Sequence, residues 1–121
     1  MQLKQVIDAV VERAARVIAA GLTALLLKVD APGRGGTYAI AVDGSVYHKY
    51  TKFRRRLHVA LAAAVAPHGG ALEDSDVPSA ALDALQPPLV RFQVQCVGCQ
   101  GGSCFGAAVI AASQAPSLAV A

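Results

Sequence analysis

Asp43-Gly44-Ser45 closes a β-prone run from Thr37 to Val42, and Gln100 to Gly106 holds a second glycine-rich turn with Ser103 inside it. Asp-Gly is a strong turn signal, because glycine takes positive φ at no steric cost while Asp bonds its own backbone. A glycine-rich turn that opens a helix leaves backbone N–H groups free beside the positive end of the helix dipole. Ser45 and Ser103 add hydroxyl donors to these turns. The chemistry such a combination suits is phosphate binding. On the residues alone, a plain hairpin turn at Asp43-Gly44 and a plain helix cap at Ser103 stay open.

Other constellations compete. Cys96, Cys99 and Cys104 with one histidine could compose a tetrahedral Cys3His zinc site, but the Cys-x-x-Cys lacks a second pair, so three free thiols are the favoured reading. Lys49, Lys52, Arg54, Arg55 and Arg56, interleaved with Tyr47, Tyr50 and Phe53, could follow a nucleic-acid backbone. A solvated helix face is the commoner meaning of such a run, and no nucleic-acid partner is expected. His48, His58 and His68 are expected at the surface or partly packed, with no spacing to Asp, Ser or Cys that composes a catalytic set.

At 121 residues the chain makes at most one domain with a modest core. Much of its 55% hydrophobic content is alanine, which favours helix packing over membrane. The apolar run from Val17 to Leu27 is about half of the ~20 residues a spanning helix requires. Asp8 and Glu12 come too early for a secretory or transit leader, and three cysteines without secretory context favour a reducing compartment. A cytoplasmic protein without a membrane partner is expected. The net charge of +3, with an acidic stretch at Glu73, Asp74, Asp76 and Asp83, allows an anionic ligand without requiring one.

The elements that position these residues follow from periodicity. Leu3, Val6, Ile7, Val10, Val11, Ala14, Val17, Ile18, Gly21, Leu22, Leu25 and Leu26 keep a helical rhythm, predicting one long helix with this stripe as its buried face. Asp8, Glu12 and Arg16 fall on the opposite face, and Gly21 could admit a close backbone. Residues 30–36 form a loop. A second helix begins with Thr51 as N-cap, buries Phe53, Leu57, Ala60, Leu61, Ala64 and Val65, and stops at Pro67-His68-Gly69-Gly70. Residues 67–88 are expected to be a surface insertion, with a helical turn at Ala80 to Leu85. Leu89 to Gln95 alternates as a strand, Ser103 caps a last helix from Phe105 to about Ser113, and 115–121 is a frayed tail.

The resulting order is helix-strand-helix-strand-helix, an α/β pattern. Two strands are too few to cover the helices. A missing part of the domain, or a partner chain, is expected to supply more.

The chain resembles the hexokinases. Glu12-Arg13-Ala14-Ala15-Arg16 and Ala19-Ala20-Gly21-Leu22, within Val6 to Lys28, look like the family's "RAA…AAG" helix. Ala41-Val42-Asp43-Gly44-Ser45-Val46-Tyr47, followed by Tyr50, Phe53, Arg56, Leu57 and His58, looks like its "VDGS-Y" strand and following helix. Val90-Arg91-Phe92, then Gly102-Ser103 and Gly106-Ala107-Ala108, look like its "VRF…EDGSGKGAA" segment. These matches keep the family's order across most of residues 6–112.

The resemblance implies a single incomplete domain, residues 1–121, corresponding to the C-terminal segment of a hexokinase large lobe. That lobe has an actin-like ATPase fold, ribonuclease H-like, and phosphorylates hexoses from ATP with Mg²⁺. Phosphate and nucleotide roles fall on Asp43, Gly44 and Ser45, on Gly102, Ser103 and Gly106, and more loosely on Val46 and Tyr47, placed on a nucleotide-adjacent strand. The sequence departs from the family at Gln100 to Gly106, which lacks the Glu and Asp, and at Cys104-Phe105, which replace a Gly and usually a Lys. Phe105 could stack on a base. Val94 to Cys99 looks like an insertion.

No segment resembles the family's sugar-binding stretch with its catalytic Asp, the general base toward the sugar hydroxyl; Asp43 belongs to the phosphate side by motif. The chain alone is expected not to turn over sugar, and no catalytic residue is assigned. The expected ligands are ATP and a hexose or hexose 6-phosphate. The alternative is a noncatalytic module that binds sugar phosphate or nucleotide.

Overall fold

Twenty-seven residues without proline, Leu3–Val29, form helix α1, about 40 Å long at 1.5 Å per residue. The computed structural model that shows this describes residues 2–30, 35–73 and 79–99. The Gln5 side chain turns back to accept the Gln2 N–H at 3.3 Å, closing the first turn. At the other end the buried Asp30 carboxylate accepts the Gly35 N–H at 3.1 Å and the Tyr38 hydroxyl at 2.5 Å. These bonds fasten the end of α1 to the strand that follows. No helix among the described residues is long and apolar enough to cross a membrane.

That strand, β1 (Gly36–Asp43), runs into a short helix, α2 (Ser45–Lys49), and then α3 (Thr51–Val65). Phe53, Leu57, Leu61 and Val65 are buried as expected; Ala60 and Ala64 are half-buried, and His58 and Ala62 join the buried side. Thr51 is the first helical residue rather than the cap. Tyr50 holds the cap position, its carbonyl accepting the Arg54 N–H at 3.2 Å, and no side chain caps this end. The helix tightens into a 3₁₀ turn (Ala66–His68) and stops at Gly69, which sits in the left-handed region at φ 84°.

The stretch expected as a surface insertion contains structure. Residues Gly70–Glu73 form strand β2, with Gly70, Ala71 and Leu72 buried. Helix α4 (Ser79–Asp83) supplies the expected helical turn, and Leu82 joins the core. Strand β3 is Phe92–Cys99, three residues later than the alternation from Leu89 suggests. Phe92 and Val94 are buried, in keeping with the alternation, while Leu89 and Val90 are exposed ahead of the strand. Val94 to Cys99, which family comparison casts as an insertion, is most of β3.

Among the described residues the three strands form one sheet in the order β1-β3-β2, parallel throughout. The α/β class is present; the element order is helix-strand-helix-helix-strand-helix-strand instead of the expected one. Tyr38, Ile40 and Val42 of β1, Leu72 of β2, and Phe92, Val94 and Cys96 of β3 pack into the core with α1 and α3. Ala39, Ala41 and Val97 are exposed, and parallel sheets are normally covered on both faces.

The largest departure concerns α1. Ala15, Ala19, Thr23 and Leu26 are its buried residues, whereas Leu3, Val6, Ile7, Val10, Val17, Ile18 and Leu25 are exposed. The reason is the neighbour. α1 packs along α3, and small side chains allow that approach; the Thr23 hydroxyl satisfies itself on the Ala19 carbonyl at 2.8 Å. Asp8 and Glu12, predicted to face away from the packed side, flank this seam and pair across it. Gly21 admits no backbone, since nothing lies within 4 Å of where its Cβ would stand. The loop tip at 31–34, the last helix and the tail at 115–121 fall outside the described residues.

Candidate phosphate-side site at the strand ends

Ligands of parallel α/β sheets bind outside the carboxyl ends of the strands, where the chain turns into helices. β1 and β3 are adjacent and in register, Asp43 opposite Cys99. Both therefore finish at the same end of the sheet. The turn at Asp43–Ser45 leaves β1 there, and Gln100 continues from β3 toward Gly102, Ser103 and Gly106, which lie outside the described residues. The sequence alone could not show that β1 and β3 end side by side.

The first turn is a strand-to-helix turn and no hairpin. Gly44 adopts φ 133°, which L side chains resist, and its surroundings are open, with nothing within 4 Å of a Cβ placed there. Asp43, Gly44, Ser45 and Val46 are all exposed, so an anion can reach the turn. The Gly44 N–H donates to the Asp43 carboxylate at 2.9 Å. That donor is engaged within the turn, which leaves the Ser45 hydroxyl as its polar side chain open to a ligand.

Val46 and Tyr47 are in α2 rather than on the strand the resemblance suggests. Tyr47 is 5% exposed, and its hydroxyl shares a 2.8 Å hydrogen bond with Nε2 of His58, itself 2% exposed. Its side chain is a core group beneath the turn. His58 is fully packed, against the expectation of a surface or partly packed ring. The signal was available in the spacing: the buried Leu61, Ala62 and Val65 follow His58 by three, four and seven residues on α3.

His48 is the polar residue that the turn's motif left unassigned. Its Nε2 stands 3.9 Å from Asp43 Oδ1, and its ring meets the Tyr47 ring edge-on with centroids 5.6 Å apart. His68 is exposed.

The basic run separates into individual partners. Lys52 Nζ and Arg56 Nη2 each lie 3.3 Å from Asp8 Oδ1, and Arg56 Nη1 donates to the Asp8 carbonyl at 2.6 Å. Glu12 accepts from Arg16 Nε at 2.9 Å and lies 3.7 Å from Arg56 Nε. Arg54 donates to the His48 carbonyl at 3.3 Å and stands over the Tyr47 ring, 5.9 Å from its centroid. Tyr47 and Phe53, which a nucleic acid would need exposed, are buried. Four of these contacts join α3 to α1, so this stretch is largely an interhelical seam.

Cys96 is a free thiol, half-buried in β3, and burial pushes its pKa from 9.0 up to about 11. Such a thiol stays protonated at neutral pH and is a poor nucleophile.

The comparisons with known proteins agree in direction. The family described as Hexokinase matches residues 1–113. "Hexokinase-7" of Oryza sativa subsp. japonica is 39% identical over 59 residues, 47% of this chain and 13% of that protein. "Hexokinase-4, chloroplastic" of the same organism is 31% identical over 67 residues, 52% of this chain and 13% of that protein. "Hexokinase-like 1 protein" of Arabidopsis thaliana is 36% identical over 61 residues, 47% of this chain and 12% of that protein. The matched stretch therefore spans about an eighth of each relative's length. No solved structure matches the chain.

Proposed function

This chain belongs to the hexokinase family, and we propose that it supplies the nucleotide and phosphate side of a cleft for ATP-dependent phosphorylation of a hexose. One observation carries the reading. In the register, Asp43 stands opposite Cys99, so the Asp43–Ser45 turn leaves the parallel sheet at the end where β3 also finishes. An exposed glycine turn at the carboxyl end of a parallel strand suits a phosphate.

The small parallel sheet is compatible with a hexokinase domain, here part of an actin-like, ribonuclease H-like lobe. The exposed, open turn at Gly44 fits a phosphate: Ser45 donates, and Gly44 lets the ligand approach the backbone. Mg²⁺, when bound, is held mainly by the ATP phosphates and neutralises their charge. The chain's own part is positioning and electrostatics. On this reading the sugar site and its catalytic base are supplied by residues outside this chain.

Isothermal titration of the 121-residue chain with MgATP tests the reading. Binding that is lost in Asp43→Ala, Ser45→Ala together supports it. Binding that survives both substitutions refutes the phosphate-turn assignment. A chain that binds glucose 6-phosphate or ATP through these residues, yet stays inactive when the rest of a hexokinase lobe is supplied, would be a noncatalytic binding module instead.

A further inference from the structure

The amino ends of the strands, opposite the phosphate side, carry charges that the proposed function does not use. Gly35, Gly69 and Arg91 each directly precede a strand, and the register sets Gly36 and Gly70 both opposite Phe92, so all three strands begin at one end of the sheet. A cavity of about 500 Å³ opens there, within the ~300–1,000 Å³ of small-molecule sites. Asp30, His68 and Arg91 bring polar groups to its lining, and Leu27, Pro87 and Leu89 are among its apolar walls.

Asp30 is 7% exposed. A carboxylate so far from water is costly unless it is paired. Its Oδ1 accepts the Gly35 N–H and the Tyr38 hydroxyl, both neutral donors, while among the described residues nothing donates to Oδ2 and no cation pairs with the group. Asp30 is also the C-cap of α1, where the helix dipole adds partial negative charge. A cation is the group that this wall of the cavity lacks.

Arg91 supplies the opposite charge. It is exposed, and among the described residues its guanidinium has no ion pair. Its backbone and stem are nevertheless fixed. The Arg91 N–H donates to the Gly69 carbonyl at 2.7 Å, and the stem lies across Gly69, where a Cβ would stand 2.9 Å from Arg91 Cγ and Cδ. The Arg91 carbonyl abuts Gly35, whose Cβ would stand 2.8 Å from it, and Gly35 also donates to Asp30. One glycine thus ties the two charged residues together.

We propose that this cavity binds a free α-amino acid with an apolar side chain, its ammonium on the Asp30 carboxylate, its carboxylate on the Arg91 guanidinium and its side chain against Leu27 and Leu89. A ligand with one of these charges would leave the other protein group unmatched, so the pair selects for a zwitterion. The site is independent of the phosphate-side reading, since the two lie at opposite ends of the sheet.

The test is an NMR titration of the 121-residue chain with leucine, with leucinamide, which lacks the carboxylate, and with isocaproate, which lacks the ammonium. Leucine should saturate the wild type below about 10 mM and bind at least about tenfold more tightly than either analogue. Arg91→Gln should bring leucine down to the level of leucinamide, and Asp30→Asn should bring it down to the level of isocaproate. Thermal transitions establish that each variant is folded; should Asp30→Asn fail to fold, the exposed Arg91 decides. A wild-type chain that does not saturate with leucine, or that binds the three compounds alike, overturns the proposal, and so does a folded Arg91→Gln that still prefers leucine to leucinamide. None of these results bears on binding at the Asp43–Ser45 turn.

Discussion

The Tyr47 hydroxyl and His58 Nε2 lie 2.8 Å apart inside the core, joining α2 to α3 beneath the candidate turn. Both groups are almost fully withdrawn from water, so each needs its partner. Tyr47→Phe keeps the ring and its packing while deleting one side of this bond, and should cost about 1–3 kcal/mol. Urea unfolding measures it. An unchanged midpoint would show that the bond contributes nothing net.

Asp8 gathers Lys52 and Arg56 across the α1–α3 seam, with Arg56 also bonded to the Asp8 carbonyl. These groups are partly solvated, which limits their worth. Asp8→Ala should lower stability by about 0.5–1 kcal/mol at low salt. In about 1 M salt, where screening acts over ~3 Å, the difference from wild type should shrink. A penalty that is independent of salt would mean Asp8 acts through packing.

Cys96 gives a pH dependence with a definite sign. Its folded-state pKa is about 11, against 9.0 for an exposed thiol, because burial disfavours the thiolate. Below 9.0 both folded and unfolded chains keep the proton and the group adds no pH dependence. Between 9.0 and about 11 the unfolded chain releases its proton while the folded chain holds it, so stability falls as pH rises. Denaturation curves across this window should fall less steeply for Cys96→Ala than for wild type, in a background where Cys99 and Cys104 are Ser. Identical slopes would contradict it.

Gly70 opens β2 against the ring of Phe92. A Cβ there would lie 2.7 Å from Phe92 Cε2 and Cζ, and 2.7 Å from Val65 Cβ. Ala at this position should destabilise by about 1–3 kcal/mol through overpacking. A surface insertion would tolerate the change, so a neutral Gly70→Ala would argue against β2 being part of the core.

This strand shows where sequence reasoning stops. Helices α1 and α3 and strand β1 were legible, since each repeats its period over many residues. Gly70-Ala71-Leu72-Glu73 is too short for a period, has low β-propensity, and runs into an acidic stretch; its burial comes from pairing with β3. The shift of β3 to Phe92–Cys99 has a similar cause, because Gln95, Gly98 and the cysteines carry little strand signal, and register with β1 extends the strand. At the site, the turn was visible in Asp43-Gly44, but the partners of His48 were not. One of them, Gly98, is fifty residues away in the chain. Nor could periodicity say which face of α1 meets α3, because it marks the apolar face and packing here uses the small one.

That inversion leads to the last prediction. Leu3, Val10, Val17, Leu25 and Val29 are each more than 60% exposed, a continuous apolar face along a helix of 27 residues. Patches of this extent on a soluble chain are normally interaction surfaces or aggregation liabilities. The matched stretch is only 12–13% of its relatives' length, so much of a lobe is available elsewhere in those proteins to cover such a face. The isolated 121-residue chain should therefore self-associate at micromolar concentration in size-exclusion chromatography with light scattering. Val10→Gln, Val17→Gln and Leu25→Gln together should shift it toward monomer and change urea stability by less than about 0.5 kcal/mol per site, because these side chains are little buried. Ala19→Leu, at the α3 seam, should do the reverse: cost about 1–3 kcal/mol by overpacking while leaving association unchanged. A wild-type chain that is monomeric with a cooperative thermal transition would mean that α1 needs no cover, and the packed seam with α3 alone would then have to account for its stability.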